Sequence, residues 1–276
     1  MGGPRDRADV EARLEAVRAI HGPWNSNIPL PFGAWTRGEK SPPQGRLMRI
    51  LQVVRDFGGK PLERCRVLDL GCQEGLHSLA FGIHGAQVVG IDARPGHLAR
   101  AAVARDILEL PYVQFLEQDV RELSLATHGR FDIILCTGVM EHLELQSQVN
   151  LLGAMSLMCT GVCVYDQRVV HQPTHKLTVP AGDFGGAIVE EHGAADTPEQ
   201  MAARWWASHK NRNSFWPTRP AAIRMAAGSA FIGLYQAILP TLASGGATAK
   251  VPNESITFVA TRNRAEVLYP YPSAEE

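Results

Sequence analysis

The chain has 276 residues, of which 27 are Lys or Arg and 28 are Asp or Glu, so its formal net charge is −1. This length is sufficient for one large α/β domain or two small ones. Proteins that bind mainly a nucleic-acid backbone or an anionic membrane usually carry a basic excess, which this chain lacks. The composition therefore predicts an enzyme that acts on a small molecule.

Membrane insertion and export are both disfavoured by the sequence. The most apolar long stretch, residues 221–240, contains Arg224, Ser229 and Gln236, so we expect no membrane span. The first twenty residues lack the apolar core of a signal peptide, which predicts a cytoplasmic protein. The five cysteines form no C-x-x-C pair, which favours reduced core thiols over disulfides or a zinc site.

The pattern of the N-terminal part predicts two helices joined by a loop. Val10, Leu14 and Val17 recur at helical spacing, and residues 45–57 show a similar apolar stripe. The Pro- and Gly-rich loop between them contains several aromatic residues, which is typical of a packed covering loop rather than a solvated linker. We expect residues 1–60 to form an N-terminal helical cap and lid loop.

From residue 66 onward, short apolar strands alternate with helices. Strands are predicted at 66–71, 86–92, 112–119, 131–138 and 161–170, and helices at 75–83, 95–108, 120–126 and 143–158. Buried strands that alternate with helices indicate an α/β, Rossmann-like, doubly wound parallel sheet with right-handed crossovers.

The alternation stops after the fifth strand and resumes later. A predicted helix at 218–227 and strand-like runs at 230–239 and 254–262 raise the count to seven strands. We therefore expect one domain over residues 61–276, with an insertion at 168–216 on the side of the acceptor.

A glycine-containing turn follows the first strand. Gly71 allows a ligand to approach the backbone closely, and the helix that begins near Gly75 offers free N–H groups. Asp92 ends the next strand 21 residues later, where a carboxylate suits two ribose hydroxyls. Gln73 breaks the G-x-G-x-x-G spacing that a dinucleotide needs. A carboxylate at Asp69 would repel pyrophosphate but can accept hydrogen bonds from an ammonium group, which favours a ligand with adenosine and a cationic amino acid.

These features resemble the class I S-adenosylmethionine-dependent methyltransferases, whose first motif reads V-L-D-L-G-x-G-x-G. The chain departs from that motif at Gln73, and the resemblance covers roughly 64–170 and 217–262. It implies S-adenosyl-L-methionine as the cofactor. In this resemblance, Asp92 contacts the ribose, Asp119 and Val120 contact the adenine, and Thr137 lies near the sulfonium. The full set of implied cofactor residues in the domain is Asp69, Gly71, Gln73, Gly75, Asp92, Ala93, Asp119, Val120 and Thr137.

The segment G-V-M-E-H, residues 138–142, resembles the G-V-x-Y-H run of the CmoB-like branch, which includes enzymes that modify the tRNA wobble uridine. Glu141 stands where that branch has tyrosine, while Trp216-Pro217-Thr218 is similar to its W-x-P-T helix entry. The near-neutral charge and the changed tyrosine argue against a tRNA acceptor.

The aromatic loop before residue 45 is similar to the cofactor lid of that branch. This implies that Trp24 and Thr36 contact the methionine end of the cofactor, where an aromatic ring can attract the sulfonium. The alternative is that the aromatic residues anchor the loop on the helices of the domain. Both interpretations stay open.

Glu141 and His142 follow strand four at the ligand-binding edge of the sheet, and we take them as the catalytic candidates. Methyl transfer needs a base only when the acceptor must lose a proton, and His142 is the first candidate for that base. Glu141 could hold an acceptor amine or close the cofactor pocket. A purely structural role of His142 at the helix start is the alternative.

The acceptor side is predicted from the end of strand five and the insertion. The candidate residues for the substrate are Asp166, Arg168, His171 and Trp216. A metal site on His171, His175 and Glu191-His192 is the less favoured alternative, because Pro173 prevents one continuous helix. We expect no metal and a lid with polar and aromatic contacts. The basic run at 204–224 is either a solvated face or a contact for a carboxylate or phosphate.

The sequence thus predicts a methyltransferase that acts on an oxygen or nitrogen of a small molecule, in natural-product biosynthesis. Two alternatives stay open, namely a tRNA-modifying methyltransferase and a regulatory protein that binds the cofactor without transferring its methyl group. Whether the protein forms a homodimer also stays open.

Overall fold

A computed structural model describes residues 3–38, 40, 45–237 and 253–262. Helix α1 (Arg7–His21) begins after Asp6, whose side chain accepts a hydrogen bond from the N–H of Asp9, and buries the predicted stripe of Val10, Leu14 and Val17. A 3₁₀ turn at Pro31–Gly33 and helix α2 (Gly45–Phe57) follow.

The main sheet contains seven strands, as predicted. Its first five strands are parallel and alternate with helices. The bounds are β1 (Arg66–Leu70), α3 (Leu76–Ile83), β2 (Gln87–Asp92), α4 (Pro95–Ile107), β3 (Val113–Glu117), α5 (Leu125–His128), β4 (Phe131–Cys136), α6 (Leu145–Met158) and β5 (Cys159–Val170).

The insertion after β5 carries a small antiparallel sheet of its own, which the sequence pattern did not predict. Its elements are β6 (His175–Val179), β7 (Gly182–Glu190), α7 (Pro198–Ala203) and β8 (Asn213–Pro217), with β7 at the centre. The insertion thus contains three strands that pair in one sheet.

The chain then returns to the main sheet through α8 (Arg219–Ala227), β9 (Gly233–Ala237) and β10 (Asn253–Thr261). β10 is antiparallel to both β5 and β9, and the strand order is β3-β2-β1-β4-β5-β10-β9. The doubly wound fold is therefore confirmed. The last part of the predicted strand at 230–239 lies outside the described residues.

Apolar side chains cover both faces of the main sheet. α6 and α8 pack on one face around Tyr165 and Phe258, while α1, α2 and α4 pack on the other around Phe81 and Ile133. The five cysteines are free and buried. Within the described ranges, no helix has both the length and the apolar character that crossing a bilayer requires.

Candidate functional site

A cavity of about 300 Å³ lies at the carboxyl ends of β1, β2 and β4, where the strand order reverses. Open α/β sheets bind their ligands at such a switch point. Predicted site residues that line the cavity are Gly71, Gln73, Asp92, Ala93, Asp119, Val120, Glu141 and His142. Residues from four separate chain segments therefore share one cavity.

The turn after β1 has left-handed backbone at Gly71 (φ +67°), Gln73 (φ +49°) and Gly75 (φ +80°). A Cβ atom at Gly71 would collide with the adjacent side chain of Val139 and would be strained at this positive φ, so this position requires glycine. Left-handed backbone costs a non-glycine residue about 1 kcal/mol. At Gln73 a hydrogen bond from its N–H to Asp92 Oδ2 at 2.9 Å offsets that cost. The turn keeps its shape without the middle glycine of the motif.

Asp92 is held rigidly in the cavity wall. Its Oδ1 accepts a hydrogen bond from the N–H of Arg94 at 2.9 Å and lies 3.3 Å from Nδ1 of His97. Its Oδ2 accepts the bond from Gln73, and the residue is 6% exposed. The backbone around Asp92 thus orients the carboxylate before any ligand binds.

Asp119 also lines the cavity, after β3, and forms a fork with Arg121. Its two oxygens accept hydrogen bonds from Arg121 Nε at 2.9 Å and Nη2 at 2.6 Å, and Lys210 Nζ lies 3.7 Å away. Burial alone would raise the pKa of Asp119, but the bonds and charge of Arg121 lower it overall. Asp119 is therefore ionised at neutral pH.

Five of the predicted cofactor residues do not line the cavity, and three of them, Asp69, Gly75 and Thr137, belong to the α/β domain itself. Asp69 is 1% exposed, and its Oδ2 accepts bonds from the N–H and hydroxyl of Ser78 at 3.0 and 2.6 Å. Gly75 caps the start of α3, and Thr137 precedes the cavity residue Gly138. Each of the three lies within two residues along the chain of a residue that lines the cavity.

Glu141 joins two of the predicted acceptor residues. Arg168 Nε lies 3.6 Å from Glu141 Oε1, and its guanidinium stacks 5.3 Å from the ring centroid of Trp216. The indole N–H of Trp216 donates to the carbonyl of Glu141 at 2.9 Å. Oε2 of Glu141 is buried and has no hydrogen-bond partner within the described part of the chain. This carboxylate therefore retains unused accepting capacity beside the cavity.

His142 lies on the same 3₁₀ turn, and its Nδ1 is 3.1 and 3.2 Å from the two carboxylate oxygens of Glu191. The imidazole is about one third exposed, whereas the Glu191 side chain is almost fully buried. A histidine that reaches a cavity and is held from behind by a carboxylate has the arrangement of a general base.

The insertion covers the cavity with residues 205–211. The rings of Trp205 and Trp206 meet edge to face at 5.7 Å and are both exposed. Nδ1 of His209 is buried without a partner among the described residues, and burial together with the charges of Arg94 and Lys210 lowers the pKa of this imidazole. His209 is thus neutral at pH 7.

The remaining predicted acceptor residues lie apart from the cavity. Asp166 pairs with Arg46 at the start of α2 and accepts a bond from Thr257 Oγ1 at 2.6 Å. His171 is exposed just beyond β5. Side chains alternate between the two faces of a strand, so Asp166 points toward α2 while its neighbours face the other layer.

Trp24 and Thr36 hold the N-terminal loop together. The Thr36 hydroxyl accepts a bond from the N–H of Ile28 at 2.8 Å and donates to the carbonyl of Ser26 at 2.7 Å. Trp24 is 5% exposed in the core under α1 and α2. Neither residue lines the cavity, and this placement matches the alternative that they anchor the loop.

The residues of the alternative metal site have separate partners. Glu191 contacts His142, the imidazole of His192 bonds to the carbonyl of Ser208, and His175 bonds to Thr174. Within the described ranges, no group of three or more His, Cys, Asp and Glu side chains could hold a metal ion.

Sequence reasoning missed Glu191 as the partner of His142 and did not identify Arg94, Arg46 or Glu74. Arg94 directly follows the predicted ribose site, so its proximity to Asp92 could have indicated a role. Glu191 had no local signal, because 49 residues separate it from His142 and only the fold of the insertion brings them together.

Comparison with known proteins agrees with this geometry. A family model described as a methyltransferase domain matches residues 67–160. The ubiquinone biosynthesis O-methyltransferase of Azorhizobium caulinodans is 36% identical over 95 residues, which are 33% of this chain and 37% of that protein. The enzyme of the same description from Xylella fastidiosa is 35% identical over 115 residues, 40% of this chain and 46% of the relative. The chain thus spans less than half the length of these relatives.

Solved structures resemble the fold over most of the chain. The N-terminal domain of EvdMO1, determined in the presence of SAH and D-fucose, aligns with a TM-score of 0.70 at 21% identity. The alignment covers 94% of this chain and 97% of that one. A putative S-adenosylmethionine-dependent methyltransferase from Listeria monocytogenes aligns with a TM-score of 0.53 at 14% identity, covering 79% and 98% of the two chains.

Proposed function

We propose that this chain, whose residues 67–160 match a methyltransferase domain, transfers the methyl group of S-adenosylmethionine to a hydroxyl oxygen of a small molecule. The observation that carries the proposal is the position of His142, which shares one cavity with the glycine turn and Asp92. An alcohol or phenol must lose its proton during methyl transfer, whereas a neutral amine can attack without a base.

The residues of the cavity fit S-adenosylmethionine. The absence of a Cβ atom at Gly71 lets the side chain of Val139 pack directly against the turn, and both residues line the cavity. In our proposal, Asp92 accepts hydrogen bonds from the ribose hydroxyls, and Asp119 and Val120 face the adenine. When bound, the cofactor supplies an electrophilic methyl group.

The chain's own residues then have three tasks. His142 removes the proton from the acceptor hydroxyl, Glu141 and Arg168 orient the polar groups of the acceptor, and Trp205 with Trp206 covers the cavity. Alignment of the acceptor and exclusion of water supply much of the rate enhancement in a displacement of this kind.

Polar acceptors rich in hydroxyl groups suit this cavity best. Two exposed tryptophans beside His142, Asn211 and Glu141 combine a flat apolar surface with hydrogen-bonding groups, which suits a sugar ring or a phenol. EvdMO1 was crystallised with D-fucose, and the curated relatives are O-methyltransferases of ubiquinone biosynthesis. We propose natural-product biosynthesis in the cytoplasm as the setting, and the five free thiols support that compartment.

The cofactor assignment is tested by calorimetry with S-adenosylhomocysteine. Asp92→Asn removes the charge that strengthens hydrogen bonds to the ribose, so we expect the affinity to fall roughly tenfold or more. Asp106→Asn, on the exposed end of α4, is the matched control and should bind like the wild type. Equal affinities of both variants would contradict the ribose assignment.

The acceptor is tested by measuring S-adenosylhomocysteine release with D-fucose, other sugars, phenols and amines. We expect turnover with a hydroxyl compound, and His142→Ala should lower it roughly 100-fold or more without changing cofactor affinity. Turnover restricted to amines, or to tRNA with a steep salt dependence, would replace this proposal with another methyltransferase. Cofactor binding without turnover of any acceptor would support the regulatory alternative.

A further inference from the structure

Glu191 reaches the back of the His142 imidazole from the end of β7. Both of its carboxylate oxygens lie within 3.2 Å of Nδ1, although β7 belongs to the insertion and His142 to the turn after β4. His142 therefore follows a strand of the main sheet, whereas Glu191, its only carboxylate partner in the described part of the chain, follows a strand of the small sheet. The 3₁₀ turn that carries His142 therefore has this carboxylate partner only when the insertion is folded onto the main domain.

The Glu191 carboxylate is itself fixed. Its side chain is 7% exposed, and Oε2 accepts a hydrogen bond from the N–H of Ser208 at 3.0 Å. The Glu191 N–H donates to the carbonyl of Arg212 at 2.8 Å. Burial would raise the pKa of Glu191, but the contacts with His142 and the N–H of Ser208 lower it overall, so the group is ionised at neutral pH.

The turn that carries His142 is also held by several side chains. Asn211 Nδ2 donates to the carbonyl of His142 at 2.9 Å. The buried amide of Gln148 donates to the carbonyls of Met140 and Leu143 at 3.0 and 2.9 Å. With the backbone fixed in this way, the main freedom left to His142 is rotation of its ring and the choice of tautomer.

We propose that Glu191 is a positioning residue that holds His142 in the Nδ1–H tautomer and directs Nε2 toward the acceptor. The inference rests on the proposed role of His142 as the base. A carboxylate accepts only from a protonated ring nitrogen, so a proton on Nδ1 leaves the lone pair of Nε2 free for the acceptor. In the reaction, the acceptor oxygen would form its bond to the methyl carbon as that carbon separates from the sulfonium sulfur, with S-adenosylhomocysteine as the leaving group, and the O–H bond of the acceptor would break. The proton moves to Nε2, and the Glu191 carboxylate stabilises the imidazolium.

The tautomer can be observed without any acceptor. Long-range ¹H–¹⁵N spectra of protein labelled with ¹⁵N-histidine distinguish protonated from unprotonated ring nitrogens, and His142→Gln identifies the signals of residue 142. We expect a protonated Nδ1 and an unprotonated Nε2 in the wild type. Glu191→Ala should mix the two tautomers, whereas Glu191→Gln retains an acceptor for Nδ1–H and should keep the tautomer.

Glu190→Ala is the matched control, because Glu190 is the last residue of β7 and the exposed neighbour of Glu191. This variant should leave the signals of His142 unchanged, and cofactor affinity should be unchanged in both alanine variants. Signals of His142 that stay the same in Glu191→Ala, or that change equally in both variants, would overturn the proposal.

A double-mutant cycle gives the kinetic test, with the hydroxylated acceptor that the screen identifies. Glu191→Ala should lower kcat at least tenfold in the wild-type background and should have no further effect in His142→Ala, because it acts through the histidine. Losses that multiply in the double variant would show that Glu191 acts independently and would contradict the proposal. Should no acceptor be turned over, the proposed function fails, while the spectra still decide whether Glu191 positions His142.

Discussion

Asp69 is a buried carboxyl group whose proton uptake affects the stability of the protein. Burial, the largest influence, raises its pKa from 3.8 to about 7, although two hydrogen bonds from Ser78 oppose the shift. Between pH 4 and 7 the folded chain therefore holds a proton that the unfolded chain has released. Because the folded state binds more protons, this group lowers the stability as the pH rises from about 4 to about 7, and its effect is constant above that range.

We predict that Asp69→Asn removes this pH dependence, since an amide does not ionise but can still accept the bond from Ser78. Relative to the wild type, the variant should gain stability as the pH rises, reaching roughly 1–3 kcal/mol above pH 7. Urea unfolding from pH 5 to pH 8 measures the difference. Asp56→Asn, on an exposed part of α2, serves as the control, and parallel pH profiles of Asp69→Asn and the wild type would contradict the prediction.

The sequence predicted individual residues well where the signal was local. Gly71, Asp92 and Asp119 each follow a predicted strand, and the carboxyl ends of parallel strands meet at one edge. The sequence could not predict Glu191 as the partner of His142, because the contact depends on how the sheet of the insertion packs against the main domain. The resemblance suggested Trp24 and Thr36 as cofactor contacts, but the burial of Trp24 and the hydrogen bonds of Thr36 within the loop cannot be inferred from residue type.

At the scale of elements, the N-terminus of α4 is tied to the insertion through Arg94. Its backbone N–H donates to Asp92, while Nη2 donates to the carbonyls of Arg204, Ala207 and Ser208 at 3.0, 3.1 and 3.3 Å. One residue thus links the proposed ribose site to the segment that covers the cavity. We therefore expect this connection to couple cofactor binding to the order of the cover.

We predict that Arg94→Ala loosens the cover, because three carbonyls lose the hydrogen bonds that Arg94 donates. Trypsin should cleave after Arg204 and Lys210 several times faster than in the wild type, and S-adenosylhomocysteine should protect these bonds less effectively. Mass spectrometry of timed digests measures both effects. Arg105→Ala, on the same helix but bonded to the adjacent Asp106, should be cleaved like the wild type, and equal rates for Arg94→Ala would disprove the coupling.

The sequence predicted the five parallel strands of the main sheet because buried parallel strands form continuous apolar runs. It also predicted the antiparallel strands β9 and β10 from two later strand-like runs. It did not predict the sheet of the insertion. β6 is largely exposed, and β7 contains Gly182, Gly185 and Gly186, so neither strand shows a regular apolar alternation. Strands of this kind are stabilised by their neighbours rather than by their own pattern.

At the scale of the whole molecule, Glu74 joins three parts of the chain. It is 1% exposed and accepts bonds from the N–H groups of Asn25 and Ser26 at 2.9 and 2.6 Å. Arg100 Nε of α4 donates to it at 2.8 Å. The N-terminal loop, the glycine turn and α4 therefore depend on one buried carboxylate.

We predict that Glu74→Gln destabilises the protein by roughly 3–5 kcal/mol, because it leaves the charge of Arg100 buried without a counter-charge. Urea unfolding gives the free energy. Glu11→Gln removes an exposed ion pair with Arg7 and should cost less than about 0.5 kcal/mol. A similar small loss in both variants would indicate that the buried pair contributes no more than the exposed one.

The five buried cysteines allow local opening of the structure to be followed by their chemical reactivity. Burial raises the pKa of the Cys72 and Cys163 thiols well above the usual range. Aromatic disulfide reagents react with thiolates, so they label a site of this kind only after the surrounding structure has opened. Cys72 belongs to the glycine turn and Cys163 to the middle of β5. The labelling rate of Cys72 would therefore report how fast the ligand-binding edge opens, and the labelling rate of Cys163 how fast the sheet opens. The two rates can be compared in the same protein without introducing further cysteines.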